Sequence, residues 1–108
     1  MHMYATMRLD DMERAAEKVS GLMKMLSNKN RLLILCQLAD SEKSVGELAD
    51  VVGVQAPAMS QQLALLRRDG LVSTRRDGQT IYYALARGDV SELMAFLYET
   101  YCGDNAES

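Results

Sequence analysis

The sequence predicts a mainly α-helical fold with a small β-hairpin, and three observations predict it. Apolar residues recur at helical spacing in four stretches between residues 10 and 69. Two strand-like runs, 71–76 and 80–85, flank the turn dipeptide Asp77-Gly78. A last amphipathic stretch follows from Asp89. With 108 residues the chain holds one domain, expected over 10–102, with 1–9 and 103–108 as loose ends.

Each element has a local cause. Met12, Ala15, Ala16, Val19, Leu22, Met23 and Leu26 form the apolar side of a first helix, which the string Ser27-Asn28-Lys29-Asn30 ends and recaps. The second helix, 29–39, is apolar almost throughout (Leu32, Leu33, Ile34, Leu35, Cys36, Leu38, Ala39), the pattern of a central core helix. Ser44 and Glu47 match a capping box and open a short third helix that runs to Val51 or Val52 and breaks at Gly53. Pro57 fits the first turn of a fourth helix, where amides have no helical acceptor, and Gly70 stops that helix after Asp69. Asp89 with Glu92 is a second capping-box match, opening a last helix with Val90, Leu93, Met94, Leu97 and Tyr101 on one face.

Helix, helix, short helix, tight turn, longer helix, hairpin and helix is the order of a winged helix-turn-helix. The internal spacing sharpens this reading. Ala49, four residues before Gly53, is small where two helices approach, and Gly53 permits the turn. Met59 and Leu63 face inward one turn apart. The fourth helix then offers Ala58, Gln61, Gln62 and Leu65 outward, flanked by Gln55 and Ser60. Glutamine can pair bidentately with adenine, and serine can meet base or phosphate, so this helix is the expected major-groove reader. Arg67 at its end, and Arg75, Arg76, Gln79 and Thr80 around the hairpin turn, are the expected backbone contacts. Alternation along a strand sends the two hairpin arginines to opposite faces, so one of them is expected on phosphate and the other paired with an acid or packed by its stem.

Charge distribution agrees with a nucleic-acid face. The net charge is −3, but residues 55–87 carry five arginines against Asp69 and Asp77, while 88–108 carry five acids and no base. No apolar run reaches membrane-spanning length and the first residues lack a secretory pattern, so a cytoplasmic protein is expected. No nucleophile–base–acid set, phosphate loop or cofactor fingerprint appears, which argues against an enzyme. The apolar faces of the first and last helices exceed what one small core absorbs. Met12, Ala16, Val19, Val90, Leu93, Met94, Leu97 and Tyr101 are therefore the expected homodimer interface, placing two reading helices about 34 Å apart on an inverted-repeat duplex.

Several strings together resemble the ArsR/SmtB family of bacterial regulators: Leu32-Leu33-Ile34-Leu35-Cys36, Ser44-Val45-Gly46-Glu47-Leu48-Ala49, Ser60-Gln61-Gln62-Leu63, Leu66-Arg67-Arg68-Asp69-Gly70-Leu71-Val72 and Ile81-Tyr82-Tyr83-Ala84-Leu85. The resemblance spans about 10–102, and is strongest to a branch that senses reactive sulfur or oxidants with one cysteine on the second helix and one ending the last. It implies a dimeric regulator, usually a repressor and in one case an activator that relieves silencing. Family members often have Ser where this chain has Gln55 and His where it has Gln62. The third-helix metal cysteines of the family are absent, Glu47-Leu48-Ala49-Asp50 standing there, and Asp89 lacks the histidines of the family's other metal site.

The residues themselves leave the roles of Cys36 and Cys102 open. Cys36 suits a small core hydrophobe and Cys102 an incidental thiol; a soft-metal site would need ligands from elsewhere, since His2 stands alone in the leader. A structural disulfide is disfavoured in a reducing compartment. The resemblance implies the remaining reading, a reversible disulfide or polysulfide between Cys36 and Cys102 formed by reactive sulfur or an oxidant. The eight methionines fall largely on apolar stripes and are read as core, so no cofactor is expected.

Overall fold

The computed structural model describes residues 8–102. The elements are α1 (Leu9–Leu26), α2 (Lys29–Asp40), β1 (Lys43–Ser44), α3 (Val45–Val52), α4 (Ala56–Arg68), β2 (Val72–Asp77), β3 (Thr80–Leu85) and α5 (Gly88–Tyr101). His2 and the tail from Gly103 lie outside the described residues. The expected leader is shorter than read from the sequence, because Leu9 already belongs to α1.

The core is built where the apolar stripes converge. Ile34, Leu35 and Leu38 of α2 meet Leu48 of α3, Met59, Leu63 and Leu66 of α4, Leu71 and Val72, and Val90 and Met94 of α5. Asn28 caps α2 by accepting from the Arg31 amide at 3.1 Å, and the Arg31 guanidinium donates to the Met25 carbonyl at 3.0 Å, tying the end of α1 to the start of α2. The rest of α1 projects from the core, with Leu26 its one buried residue and Leu22 and Met25 half-buried against the core. The radius of gyration, 16.1 Å, exceeds the roughly 13 Å of a compact chain this long, as a projecting helix requires.

The reading unit forms as its signals specify. Ser44 and Glu47 make a reciprocal capping box at 3.2 and 2.8 Å. Gly53 adopts φ 81°, and the amides of Gly53 and Val54 both return to the Ala49 carbonyl. Gly70, at φ 77°, ends α4 in a Schellman arrangement, its amide bonding to Arg67 and that of Leu71 to Leu66.

Three details differ from the expected pattern. The antiparallel sheet has three strands, in the order β1-β3-β2, because Lys43 and Ser44 pair with Tyr83 and Tyr82. Two residues are too few to show a period in sequence. β2 starts at Val72, since the amide of Leu71 is engaged in the helix stop. The box expected at Asp89 and Glu92 does not form: α5 begins at Gly88 with Arg87 as N-cap and no side-chain cap. Asp89 instead accepts from the Val90 amide and holds the Arg87 guanidinium at 3.0 and 2.6 Å.

Candidate functional site

α4 presents a narrower outer face than its sequence suggested. At about 100° per residue, the buried trio Met59, Leu63 and Leu66 is opposed by Pro57, Gln61, Ala64 and Arg68, all exposed. Ala58 and Ser60 flank that face and are exposed; Gln55 is the exposed N-cap residue, whose side chain makes no cap bond. Gln62 lies three residues after Met59 and four before Leu66, and this explains its half-burial. Its Oε1 is buried without a hydrogen-bond partner. Gln62 and the half-buried Leu65 are therefore corrected from outward reading positions to flanks of the core. Ala64 and Arg68 were missed, although the helical angle alone would have found them.

The hairpin separates its two arginines. The guanidinium of Arg75 donates from Nε to Glu42 at 3.2 Å and from a terminal nitrogen to the other carboxylate oxygen, and it stands 4.9 Å from the Tyr82 ring centroid. That hydrogen-bonded cation holds the Glu42 carboxyl below its ordinary range. Arg76, one residue on and exposed, has no acidic partner among the described residues. Of the two, Arg75 is the acid-paired arginine and Arg76 the one left available. Arg67 is exposed at the end of α4, while Arg68 pairs with Asp69 at 3.3 Å. Gln79 and Thr80 are exposed at the wing tip.

The two cysteines sit on packed helices, Cys36 within α2 and Cys102 at the end of α5. Cys36 is half-buried and its thiol donates to the Met94 thioether at 3.6 Å; Cys102 is exposed as the residue capping α5. Burial pushes the Cys36 thiol above its ordinary value, and the negative charge of an ionised Cys102 pushes it further. Both are free thiols. A cleft of about 480 Å³ opens beside Cys36, lined also by Asp40, Met94, Tyr98 and Glu99. Among the described residues no three His, Cys, Asp or Glu side chains gather as a metal-binding group.

The expected interface residues divide. Val90 and Met94 are 0% and 1% exposed within the chain's own core, so they are corrected to core positions; the last helix has to bury them to close the domain. Leu93 and Leu97 are half-buried at the core edge. Met12, Ala16, Val19 and Tyr101 are exposed, as are Leu9 and Met23, which continue the α1 stripe at spacings of three and four. Phe96, 60% exposed on α5, was not singled out from sequence because it lies beside the helix's apolar face.

A short capped helix, a glycine turn, an exposed polar helix and a basic hairpin form a winged helix-turn-helix, the fold of a DNA-binding transcriptional regulator. Residues 28–74 match the family described as "Bacterial regulatory protein, arsR family". The chain is 45% identical over 101 residues to the transcriptional activator HlyU of Vibrio cholerae, covering 94% of each, and 39% identical over 102 residues to the biofilm growth-associated repressor of Xylella fastidiosa, covering 94% of this chain and 90% of that one. Among solved structures, reduced HlyU from Vibrio cholerae superposes with TM-score 0.81 at 45% identity, over 87% of this chain and 99% of that one. A homodimeric winged helix-turn-helix DNA-binding domain from Mycobacterium bovis does so with TM-score 0.68 at 34% identity, over 85% of each. The chain belongs to the ArsR family. No helix among the described residues is long and apolar enough to cross a membrane.

Proposed function

We propose that the chain is a cytoplasmic homodimeric repressor that holds an inverted-repeat operator while its thiols are reduced. Linking Cys36 to Cys102, directly or through added sulfur, releases the DNA, with reactive sulfur species or an oxidant as inducer. One observation carries this reading: two cysteines 66 positions apart in sequence fall on helices that pack together, Cys36 beside the cleft between α2 and α5 and Cys102 exposed at the end of α5. Forming the disulfide removes two protons and two electrons from the pair, both electrons going to the oxidant; reactive sulfur adds its own atoms to the bridge. The bridge would tie α5 to the core helix α2. A dimer built on α1 and α5 would then favour another spacing of its two α4 helices, each 1.4 kcal/mol of that preference costing about tenfold in affinity.

Dimerisation is supported by the unpartnered stripe of α1, Leu9, Met12, Val19 and Met23 being 46–72% exposed, with Phe96 and Tyr101 on α5. DNA reading falls to Gln61, with Gln55, Ala58 and Ser60 beside it, and phosphate contact to Arg67, Arg76, Gln79 and Thr80. The test uses genomic fragments selected by the reduced protein. Binding is expected to weaken on polysulfide treatment and to recover with dithiol. Cys36→Ser and Cys102→Ser should each bind and stop responding. Wild type and the double variant responding alike would overturn the switch.

A further inference from the structure

Met94 is buried to 1% exposure, yet its sulfur contacts the Cys36 thiol at 3.6 Å, and both residues line the same cleft. Cys102 comes eight residues after Met94 on α5, about 12 Å further along the helix axis. The thioether is therefore the sulfur already seated against Cys36, whereas Cys102 has to be drawn in. We propose that Met94 is a second oxidation site of this protein, oxidised through Cys36 by peroxide rather than by direct attack.

Hydrogen peroxide first oxidises Cys36 to the sulfenic acid: its O–O bond breaks, one oxygen joins sulfur and the other leaves as water. The Met94 sulfur, in van der Waals contact, attacks the Cys36 sulfur with its lone pair and, with one proton taken up, expels the hydroxyl as water. The product is a sulfur–sulfur sulfonium. Water entering through the cleft adds its oxygen to the Met94 sulfur, the S–S bond breaks, and Cys36 leaves as the thiol with the proton returned. Met94 ends two electrons oxidised as the sulfoxide, and Cys36 is restored. A sulfenic acid on Cys36 therefore partitions between Cys102, giving a link that dithiol reverses, and Met94, giving a polar sulfoxide in the α2–α5 packing that dithiol does not reverse. The proposal needs only oxidation of Cys36 and not the operator switch, so the two stand or fall separately.

The origin of the oxygen tests it. Cys102→Ser protein is treated with ordinary hydrogen peroxide in water enriched in heavy oxygen, and peptides are read by mass spectrometry. Met94 sulfoxide is expected to carry solvent oxygen, while free N-acetylmethionine added to the same reaction carries peroxide oxygen. In Cys36→Ser and Cys36→Ala the Met94 sulfoxide is expected to be lost, with oxidation of the added N-acetylmethionine unchanged. Peroxide oxygen on Met94, equal Met94 oxidation without Cys36, or Cys36 accumulating as sulfinic acid beside an unmodified Met94 would each overturn the proposal.

Discussion

Replacing Arg76 with alanine is expected to flatten the salt dependence of DNA binding, and replacing Arg75 is not. The two arginines are adjacent on β2 and both exposed, so sequence alone gives them equal claims on phosphate. The structure separates them, since the charge of Arg75 is already met by Glu42 and its guanidinium lies against Tyr82. A lost phosphate contact removes about 0.9 from the slope of log K against log salt for each subunit. Between 50 and 200 mM salt that slope is worth roughly 3.5-fold in affinity per contact. Arg76→Ala should show this loss on operator and random duplex alike, because phosphate contacts carry no sequence information. Arg75→Ala should change the slope by less than half as much, and Glu42→Gln should steepen it by freeing a second cation. Fluorescence anisotropy on a labelled duplex across a salt series reads all three. Equal slopes for the two arginine variants, or an unchanged slope in Arg76→Ala, would refute the assignment.

Four further outcomes follow from the same geometry. Gln61→Ala should change preference among operator variants by roughly 1–3 kcal/mol at one base pair, whereas Gln62→Met should leave preference unchanged and raise stability by about 1 kcal/mol by removing an unpaired buried oxygen; competition binding and thermal melts separate them, and a base-preference change in Gln62→Met would contradict the half-buried placement. Gly53→Ala meets nothing within 4 Å, so its cost is the left-handed backbone alone, about 1–2 kcal/mol, seen as a melting point lower by roughly 4–8 °C per kcal/mol. Val19→Asp, on the free face of α1, should give folded monomers by sedimentation, and a variant that stayed dimeric would remove α1 from the interface. Cys36 should alkylate with iodoacetamide at higher pH than a free thiol, first because of burial and then because of the Cys102 charge; Cys102→Ser should shift that profile to lower pH. Since the fold favours the neutral Cys36 thiol, its contribution to stability is full below the unfolded thiol's pKa and declines as pH rises through it.

The sequence by itself determined the helices, the hairpin and their order, because each was written in local signals, whereas the two-residue β1 was not. The reciprocal Ser44–Glu47 box, the glycines 53, 70 and 78 at positive φ, Pro57 in a first turn and the inward Met59, Leu63 and Leu66 all act within a few residues of themselves. Where a local match had a competitor, it failed: Asp89 was bound by Arg87 and its own neighbour's amide, so the second capping box did not form. What sequence could not decide was which surfaces survive packing. The apolar face of α5 reads as one stripe, and only the meeting of α5 with α2 shows that Val90 and Met94 are consumed by the core while Phe96 and Tyr101 remain outside. Gln62 and Gln61 are adjacent polar residues of one type, and a 100° step beside Met59 and Leu66 buries one of them. Arg75 differs from Arg76 through Glu42, 33 positions away, and Cys36 meets Met94 across 58. Such pairings depend on how helices and strands converge, which no local pattern records, and they set the free charge, the exposed edge and the thiol contact on which the proposed function rests.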